Sequence, residues 1–178
     1  MSDPAVHWDA DEALEQVYAA HWRRLVRLSV LLVGDLGTAE EVVQDAFVAM
    51  HGRWTRLREP DKAVAYLRQS VVNRSRSELR HRKVVDREVR REAARPRPHG
   101  VPADLATLAD ERRATVLAAL GRLPGRQREV LALRYYLDLS ESEIAETLGI
   151  SPGAVKSHAS RGSATLRRLL AAFLEDTP

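Results

Sequence analysis

Residues 139–158 read LSESEIAETLGISPGAVKSH, and the local signals in this stretch agree with one another. Ser140 followed by Glu143 forms a capping box, which predicts that a helix begins there. Gly149 predicts the end of that helix, because glycine takes up a left-handed backbone at no steric cost, and Ser151 caps a second helix. Two helices joined by so short a turn indicate a helix-turn-helix, which presents its second helix to the major groove of DNA.

The second helix of this motif carries small polar groups and cations on one side. When positions are counted at about 100° per residue from Val155 as the core anchor, the buried side is expected to hold Ala159, Gly162 and Leu166. The outward and flanking residues are Gly153, Lys156, Ser157, Ser160 and Arg161. No carboxylate occurs from residue 151 to residue 174, whereas an ordinary solvated helix mixes both signs of charge. Such a face suits contact with base edges and phosphates. The alternative is a helical hairpin that binds nothing.

The composition of the 178-residue chain excludes several classes of protein. The sequence contains no cysteine, so disulfides, thiol redox switching and cysteine-based zinc sites are excluded. No apolar run is long enough to cross a bilayer, and the acidic amino terminus lacks the basic and apolar regions of a signal peptide. We therefore expect a cytoplasmic protein with one large or two small domains.

The net charge of +3 conceals a strong separation of charge along the chain. Residues 1–67 hold 7 basic and 11 acidic side chains, whereas residues 68–97 hold 11 basic and 4 acidic ones. This charge pattern is typical of a protein whose basic segment contacts nucleic acid and whose acidic surface has a different function.

Apolar periodicity predicts an all-α fold, because no alternating stretch bounded by turn residues favours a strand. The first helix is expected from about Asp11 to Val33, and its inward positions at 3- and 4-residue steps are Leu14, Tyr18, His21, Leu25, Leu28 and Leu32. A capping box of Thr38 and Glu41 predicts a second helix, and Pro60 opens a third helix that runs into the basic segment.

Repeated proline in residues 95–102 predicts a break in the helical pattern, because proline lacks an amide donor and restricts the backbone. After it we expect helices near residues 109–120 and 124–136, followed by the helix-turn-helix. The predicted organisation is a helical domain (8–86), a flexible linker (87–109) and a second helical domain (110–176). The alternative to a flexible linker is an ordered loop packed on one domain.

Three further motifs, in this order, resemble those of the extracytoplasmic-function sigma factors, the small two-domain initiation subunits of bacterial RNA polymerase in the sigma-70 family. They are AEEVVQDAF (39–47), similar to the polymerase-binding helix of the family, YLRQSVVN with LRHR (66–73 and 79–82), similar to its promoter-reading helix, and LPGRQREVLALRYY (123–136), similar to the lead-in to its second DNA-binding module. The form YLRQSVVN looks closest to an actinobacterial subgroup labelled SigE-like. The resemblance covers nearly the whole chain and implies sigma region 2 followed by region 4, a winged-helix-like helix-turn-helix.

The resemblance also implies which residues of the first domain contact the partners. Those that face the largest subunit of core RNA polymerase would be Glu40, Glu41, Gln44 and Asp45. Those that bind the minus-ten promoter element would be Asn73, Arg76, Arg80 and Arg82. Tyr66 is the nearest aromatic side chain for stacking on a base, and it could instead pack within the fold. The chain departs from the family pattern at Ser77, four residues after Asn73, where many relatives carry aspartate.

In the second domain the resemblance implies that residues 151–161 read the minus-thirty-five element, with contacts from Ser151, Gly153, Lys156, Ser157, Ser160 and Arg161. Arg126 and Arg134 would contact phosphates. Residues 131–137 would either dock the flap of the second-largest polymerase subunit or belong to the core, and we expect core positions for Leu131 and Leu133.

The sequence shows no catalytic constellation. None of the six histidines pairs with glutamate or histidine at metal-ligand spacing, and no glycine-rich phosphate loop or nucleophile elbow occurs. We therefore expect no enzyme activity, no metal and no cofactor. The expected partners are core RNA polymerase, promoter DNA and an inhibitory anti-sigma factor over the acidic N-terminal helices, and the free chain is expected to be a monomer. The alternatives are a helix-turn-helix repressor that binds DNA without polymerase, and an interaction module that no longer initiates transcription.

Overall fold

The computed structural model describes residues 10–54, 60–92 and 108–175. These ranges contain helices and connecting turns and no strand, which confirms the predicted all-α fold, and the described helix-turn-helix carries no β-wing. The helices are α1 (Ala10–Val33), α2 (Leu36–His51), α3 (Pro60–Glu92), α4 (Leu108–Gly121), α5 (Gly125–Leu131), α6 (Glu141–Leu148) and α7 (Pro152–Glu175), and a π-helical turn, Ala132–Tyr136, continues α5. Within the described part of the chain, no helix has the length and apolar character that spanning a membrane requires.

The turn between α1 and α2 is determined by Gly34 and Asp35. Gly34 has a φ of 90°, a left-handed backbone that favours glycine. Asp35 is the N-cap of α2, and its carboxylate accepts a hydrogen bond from the Thr38 N–H at 2.9 Å. The prediction that Thr38 and Glu41 cap this helix is therefore wrong. The helix begins earlier, at Leu36, because a charged carboxylate is a stronger acceptor for the first amides than a hydroxyl.

Helices α1, α2 and α3 pack around a common apolar core, whose fully buried side chains include Leu28, Val43, Met50, Leu67 and Val71. Most inward positions predicted for α1 are buried or half-buried, but Tyr18 is 44% exposed. Ser29 and Ser75 are buried and share a hydrogen bond of 3.1 Å between α1 and α3, so these two polar groups satisfy each other within the core.

Helix α3 extends beyond the predicted end of the first domain. It continues to Glu92, because residues 87–92 contain neither proline nor glycine, so the first six residues of the predicted linker are helical. The proline-rich stretch 95–102 lies outside the described residues. The chain is described again from Leu108, where α4 begins.

The helix-turn-helix forms as predicted. The Ser140 hydroxyl accepts a hydrogen bond from the Glu143 N–H at 3.3 Å, and the Glu143 carboxylate accepts one from the Ser140 N–H at 2.8 Å. The Ser140 hydroxyl also donates to the Glu143 carboxylate at 2.7 Å, and this bond, together with the one from the Ser140 N–H, lowers the pKa of Glu143. Gly149 ends α6 with a φ of 64°, and the Ser151 hydroxyl accepts from the Ala154 N–H at 3.1 Å at the start of α7.

Helix α7 crosses α5 at a close approach centred on Gly162. A Cβ atom at Gly162 would lie 3.2 Å from Leu131 Cδ1 and 3.2 Å from Gln127 Cβ, so a side chain at this position would require these neighbours to move by a few tenths of an ångström. Val155 and Ala159 are buried along the same side of α7, as their spacing predicts. Leu131 and Leu133 are core residues, in agreement with the prediction.

The two helical domains pack against each other in this structure, and their buried apolar side chains form a continuous cluster. Leu31 of α1 contacts a second cluster, made of Leu120, Leu123 and Leu131. Two arginines bridge the domains through main-chain carbonyls. Arg128 donates to the Leu32 carbonyl at 2.7 Å, and Arg24 donates to the Leu137 carbonyl at 3.2 Å. Burial lowers the pKa of Arg128.

Candidate nucleic-acid and polymerase interfaces

The outward face of α7 carries the side chains predicted to read DNA. Ser151, Gly153, Lys156, Ser160 and Arg161 are exposed, and Ser157 is half-buried. Lys156 Nζ lies 3.6 Å from Glu141 Oε2 of α6, an exposed ion pair that a phosphate could replace at little cost. The helix therefore presents small polar groups and cations to solvent, as the groove of a duplex requires.

Helix α3 carries the four residues predicted to bind the minus-ten element, and the structure gives them different surroundings. Asn73 and Arg80 are exposed, and Arg80 donates to the Ser77 hydroxyl at 3.2 Å. The other two, Arg76 and Arg82, are half-buried and make ion pairs within the molecule.

Arg82 holds α3 against the turn between α1 and α2. Its guanidinium lies 2.7 Å from Asp35 Oδ2 and 3.2 Å from Glu78 Oε1, and it also donates to the Thr38 hydroxyl and to the Val33 carbonyl. Burial opposes the charge of Arg82, but the hydrogen bonds and charges of Asp35 and Glu78 raise its pKa overall. The pKa of Asp35 is correspondingly lowered, with the Thr38 amide and Arg82 outweighing the effect of burial.

Arg76 is engaged with Glu129, which lies on α5 of the other domain. Arg76 Nε lies 2.8 Å from Glu129 Oε1 and Arg76 Nη2 lies 2.9 Å from Oε2, a two-pronged pair. Arg126 Nη1 contacts the same carboxylate at 3.0 Å, and Asn73 Oδ1 accepts a hydrogen bond from Arg76 at 3.2 Å. Two residues predicted to bind DNA, Arg76 and Arg126, thus contact one carboxylate directly, and a third, Asn73, contacts Arg76; the side chain of Glu129 is only 7% exposed.

Sequence reasoning did not single out Glu129. Glu129 precedes the apolar residues Val130 and Leu131 in the sequence. An acidic side chain buried among apolar residues needs a charged partner. That context could have marked it as a buried charge. Its partner Arg76 is 53 positions away along the chain, and no local pattern connects the two.

The predicted polymerase-binding residues lie together on the outer side of α2. Glu40, Glu41, Gln44 and Asp45 are all exposed. Asp45 Oδ2 also lies 3.4 Å from Arg74 of α3. Exposure of three carboxylates on one helix leaves an acidic surface that is accessible to a basic partner.

A groove of about 650 Å³ runs between α1 and α2 beside this acidic surface. Its lining is mostly apolar and consists of Leu14, Tyr18, Trp22, Glu40, Gln44, Phe47, Val48 and His51. Tyr18 stacks on Trp22 with ring centroids 4.7 Å apart and meets Phe47 edge-on at 5.0 Å. Val48 is 67% exposed. The sequence predicted an inward-facing Tyr18, and the structure places it in this open α1–α2 groove.

Tyr66, considered as a base-stacking residue, is half-buried, and the guanidinium of Arg53 lies over its ring at 5.6 Å from the centroid. The ring face toward Arg53 is therefore occupied by a cation–π contact. Among the described residues, no group of three histidine, aspartate or glutamate side chains is arranged to hold a metal ion.

Two family profiles match the chain in the order that its domains suggest. Sigma-70 region 2 matches residues 17–84, and sigma-70 region 4 matches residues 113–166. The RNA polymerase sigma-E factor of Streptomyces coelicolor is 36% identical over 148 residues, which cover 83% of this chain and 80% of that protein. The ECF RNA polymerase sigma factor SigM of Mycobacterium tuberculosis H37Rv is 30% identical over 93% of this chain and 82% of its own length.

The fold is also similar to that of the sigma factor RpoE from Bartonella quintana, crystallised with the anti-sigma factor NepR. The TM-score is 0.71 at 24% identity, with 88% of this chain and 96% of that chain covered. The protein belongs to the sigma-70 family of RNA polymerase sigma factors, in its extracytoplasmic-function group. It is a transcription initiation factor that directs RNA polymerase to promoters, and it is not a plain repressor.

Proposed function

We propose that the chain binds core RNA polymerase through the α1–α2 groove and its acidic surface, and promoter DNA through α3 and α7. The observation that carries this proposal is the separation of the two kinds of surface on one molecule. An aromatic groove with exposed carboxylates lies on α1 and α2, while the outward face of α7 carries Lys156 and Arg161 and no carboxylate. A protein partner and a polyanion can therefore bind at the same time.

The α1–α2 groove suits an amphipathic helix of the polymerase that carries basic residues. Tyr18, Trp22 and Phe47 offer a large aromatic contact area of the kind that dominates binding energy in interfaces. Glu40 and Gln44 at the rim, with Glu41 and Asp45 beyond them, would fix the orientation of that helix by charge.

On the DNA side, α7 would enter the major groove at the minus-thirty-five element with Lys156 and Arg161 on phosphates and the small residues Ser157 and Ser160 near base edges. Arg126 would add a phosphate contact. Asn73 and Arg80 of α3, joined by Arg76 when it leaves Glu129, would bind the separated strand of the minus-ten element. We propose Arg82 as a residue that positions α3 rather than as a phosphate contact.

The chain would supply no catalytic group and need no cofactor. Strand opening would follow from tighter binding of α3 to the single strand than to the duplex, which shifts the equilibrium of the DNA toward the open form. RNA synthesis would remain the task of the polymerase, so we place the protein in the cytoplasm, acting as a monomer within the assembled initiation complex.

Promoter-dependent run-off transcription with purified core polymerase tests this proposal. Lys156→Glu or Arg161→Glu should lower the yield of transcript at least about tenfold, because each removes a phosphate contact and adds repulsion. The matched control is Arg168→Glu, the same charge reversal at an exposed position further along α7, which should transcribe like wild type. Equal yields from all three variants and the wild type would rule out the proposed role of α7.

The polymerase interface has its own test. Val48→Glu places a charge on an exposed apolar residue of the groove without disturbing the core and should weaken binding to core polymerase by about tenfold in a fluorescence titration. Val116→Glu, at an exposed valine of α4, is the control. Unchanged polymerase affinity for Val48→Glu would remove the groove from the proposed interface.

An inhibitory partner is also proposed, because the similar Bartonella structure contains an anti-sigma factor. Such a partner would cover the α1–α2 groove and compete with polymerase for it. A pull-down from native cells should recover this partner with the wild type and lose it with Val48→Glu. Recovery of polymerase subunits alone by the wild type would count against the partner.

A further inference from the structure

The carboxylate of Glu141 lies at the edge of the face that α7 presents to solvent. Glu141 is the first residue of α6, and its side chain is 32% exposed. Its Oε2 lies 3.6 Å from Lys156 Nζ of α7, and its Oε1 lies 3.4 Å from Arg134 Nη2 of the π-helical turn. One acidic side chain therefore contacts two of the cations for which DNA contacts are predicted.

The two other acidic side chains of α6 have different surroundings. Glu143 is bound in the capping box with Ser140. Glu146 is exposed, and among the described residues it has no partner in an ion pair. A negative charge in the first turn of a helix is favourable in itself, but this effect does not require the side chain of Glu141 to turn toward α7. Its contact with Lys156 is a separate feature of the structure.

The ion pair with Glu141 determines where the charge of Lys156 lies. The backbone of α7 is fixed at this point, because the neighbouring Val155 is fully buried. The side chain of Lys156 is 70% exposed, and the ammonium group of a lysine is a point charge on a flexible stem. Without a partner it would occupy many positions. The carboxylate therefore selects the position at which the ammonium group meets a phosphate.

The same carboxylate opposes DNA that is bound in any other register. A duplex that α7 does not read offers its phosphates at other positions, and Lys156 must leave Glu141 to reach them. The carboxylate then lies beside the DNA without its partner, and like-charge repulsion weakens that complex. In the register in which α7 meets its base edges, the ammonium group would lie between the carboxylate and a phosphate and keep both contacts.

We infer that Glu141 is a specificity-determining residue for the minus-thirty-five element. It fixes the position of Lys156 for the promoter and weakens complexes with duplexes that draw this cation elsewhere. A repulsive group placed beside attractive ones is a general source of specificity. The inference rests on the proposed role of α7 in reading promoter DNA.

Holoenzyme assembled from core polymerase and each variant tests this inference on two fluorescein-labelled duplexes. The first is the promoter fragment of the run-off assay, and the second is the same fragment with the base pairs of its minus-thirty-five element shuffled. Glu141→Gln removes the charge with little change of shape. It should bind the shuffled fragment roughly threefold to fivefold more tightly than wild type, the share of one partly exposed ion pair, and the promoter fragment within about twofold of wild type.

Glu146→Gln is the matched control, because it removes the same charge from an exposed position of the same helix. It should leave the ratio of the two affinities at the wild-type value. Lys156→Gln supplies a second test through a double-mutant cycle. In the Lys156→Gln background, Glu141→Gln should change the ratio by less than about twofold, because the cation that it positions is absent.

Two results would overturn the inference. One is an affinity ratio for Glu141→Gln equal to that of wild type, which includes a gain in affinity that is the same for both fragments and reflects net charge alone. The other is an undiminished effect of Glu141→Gln in the Lys156→Gln background. A wild-type holoenzyme that binds the two fragments equally would instead refute the proposed function of α7, so the two failures are distinguishable.

Discussion

Arg80 and Arg82 are two arginines on the same helix for which the structure predicts opposite effects of substitution. Both were expected from the sequence to bind the minus-ten element. Arg80 is exposed and contacts the hydroxyl of Ser77. Arg82 is 35% exposed at its side chain and bonds to Asp35, Glu78, Thr38 and the Val33 carbonyl. The alanine variants of the two residues therefore separate a DNA contact from a positioning role.

The magnitude for Arg82→Ala follows from its partners. The ion pairs with Asp35 and Glu78 are partly solvated, and each contributes at most about 1 kcal/mol. The hydrogen bonds to Thr38 and to the Val33 carbonyl contribute about 0.5–1.5 kcal/mol each. Allowing for the side-chain entropy that the variant regains, about 2 kcal/mol of loss in the free energy of unfolding is expected. At about 2–4 °C per kcal/mol for a chain of this size, the melting temperature should fall by roughly 4–8 °C.

Two assays distinguish the residues. Thermal unfolding followed by circular dichroism should show the loss for Arg82→Ala and a change below about 0.5 kcal/mol for Arg80→Ala. Single-strand binding measured from low to moderate salt should lose about 0.7 in the slope of log affinity against log salt for Arg80→Ala, the share of one phosphate contact. The slope for Arg82→Ala should match wild type. If Arg82→Ala kept full stability and lost the slope instead, the assignment of Arg82 to positioning would be wrong.

Three further predictions concern stability. The pKa of Asp35 is lowered in the folded state, so the stabilisation from its carboxylate is present above the unfolded pKa of about 3.9 and is lost as pH falls through the lower folded value. Asp35→Asn should therefore be less stable than wild type at pH 7, and the two proteins should become equally stable in acid. Urea unfolding at several pH values would measure this difference. Gly162→Val should cost about 1–3 kcal/mol, because its side chain would clash with Leu131, and a urea midpoint equal to that of Gly121→Val, where no atom lies within 4 Å of a Cβ, would contradict the close crossing. Ser140→Ala should cost about 1 kcal/mol through loss of the α6 cap, and an unchanged urea midpoint would show that the capping box adds nothing to stability.

The helix-turn-helix shows how much of this protein could be predicted from residues close together in the sequence. The caps at Ser140 and Ser151 and the left-handed Gly149 formed as expected, and the periodicity placed Val155 and Ala159 in the core. These features depend on residues three or four positions apart, which the geometry of a helix brings into contact. The start of α2 was missed, because Asp35 and Thr38 are both good capping residues and the pattern did not decide between them.

The sequence by itself determined the helical fold class, the caps of the helix-turn-helix and the exposed basic face of α7, because each depends on local spacing and on the chemistry of neighbouring side chains. Only the tertiary structure decided which arginines stay available to a ligand. Arg82 bonds to Asp35 across 47 positions and Arg76 to Glu129 across 53, and such pairs arise only when packing has brought distant helices together. Once the surrounding apolar side chains exclude water, a buried carboxylate pairs with the nearest guanidinium. The identity of that arginine cannot be predicted from any pattern along the chain.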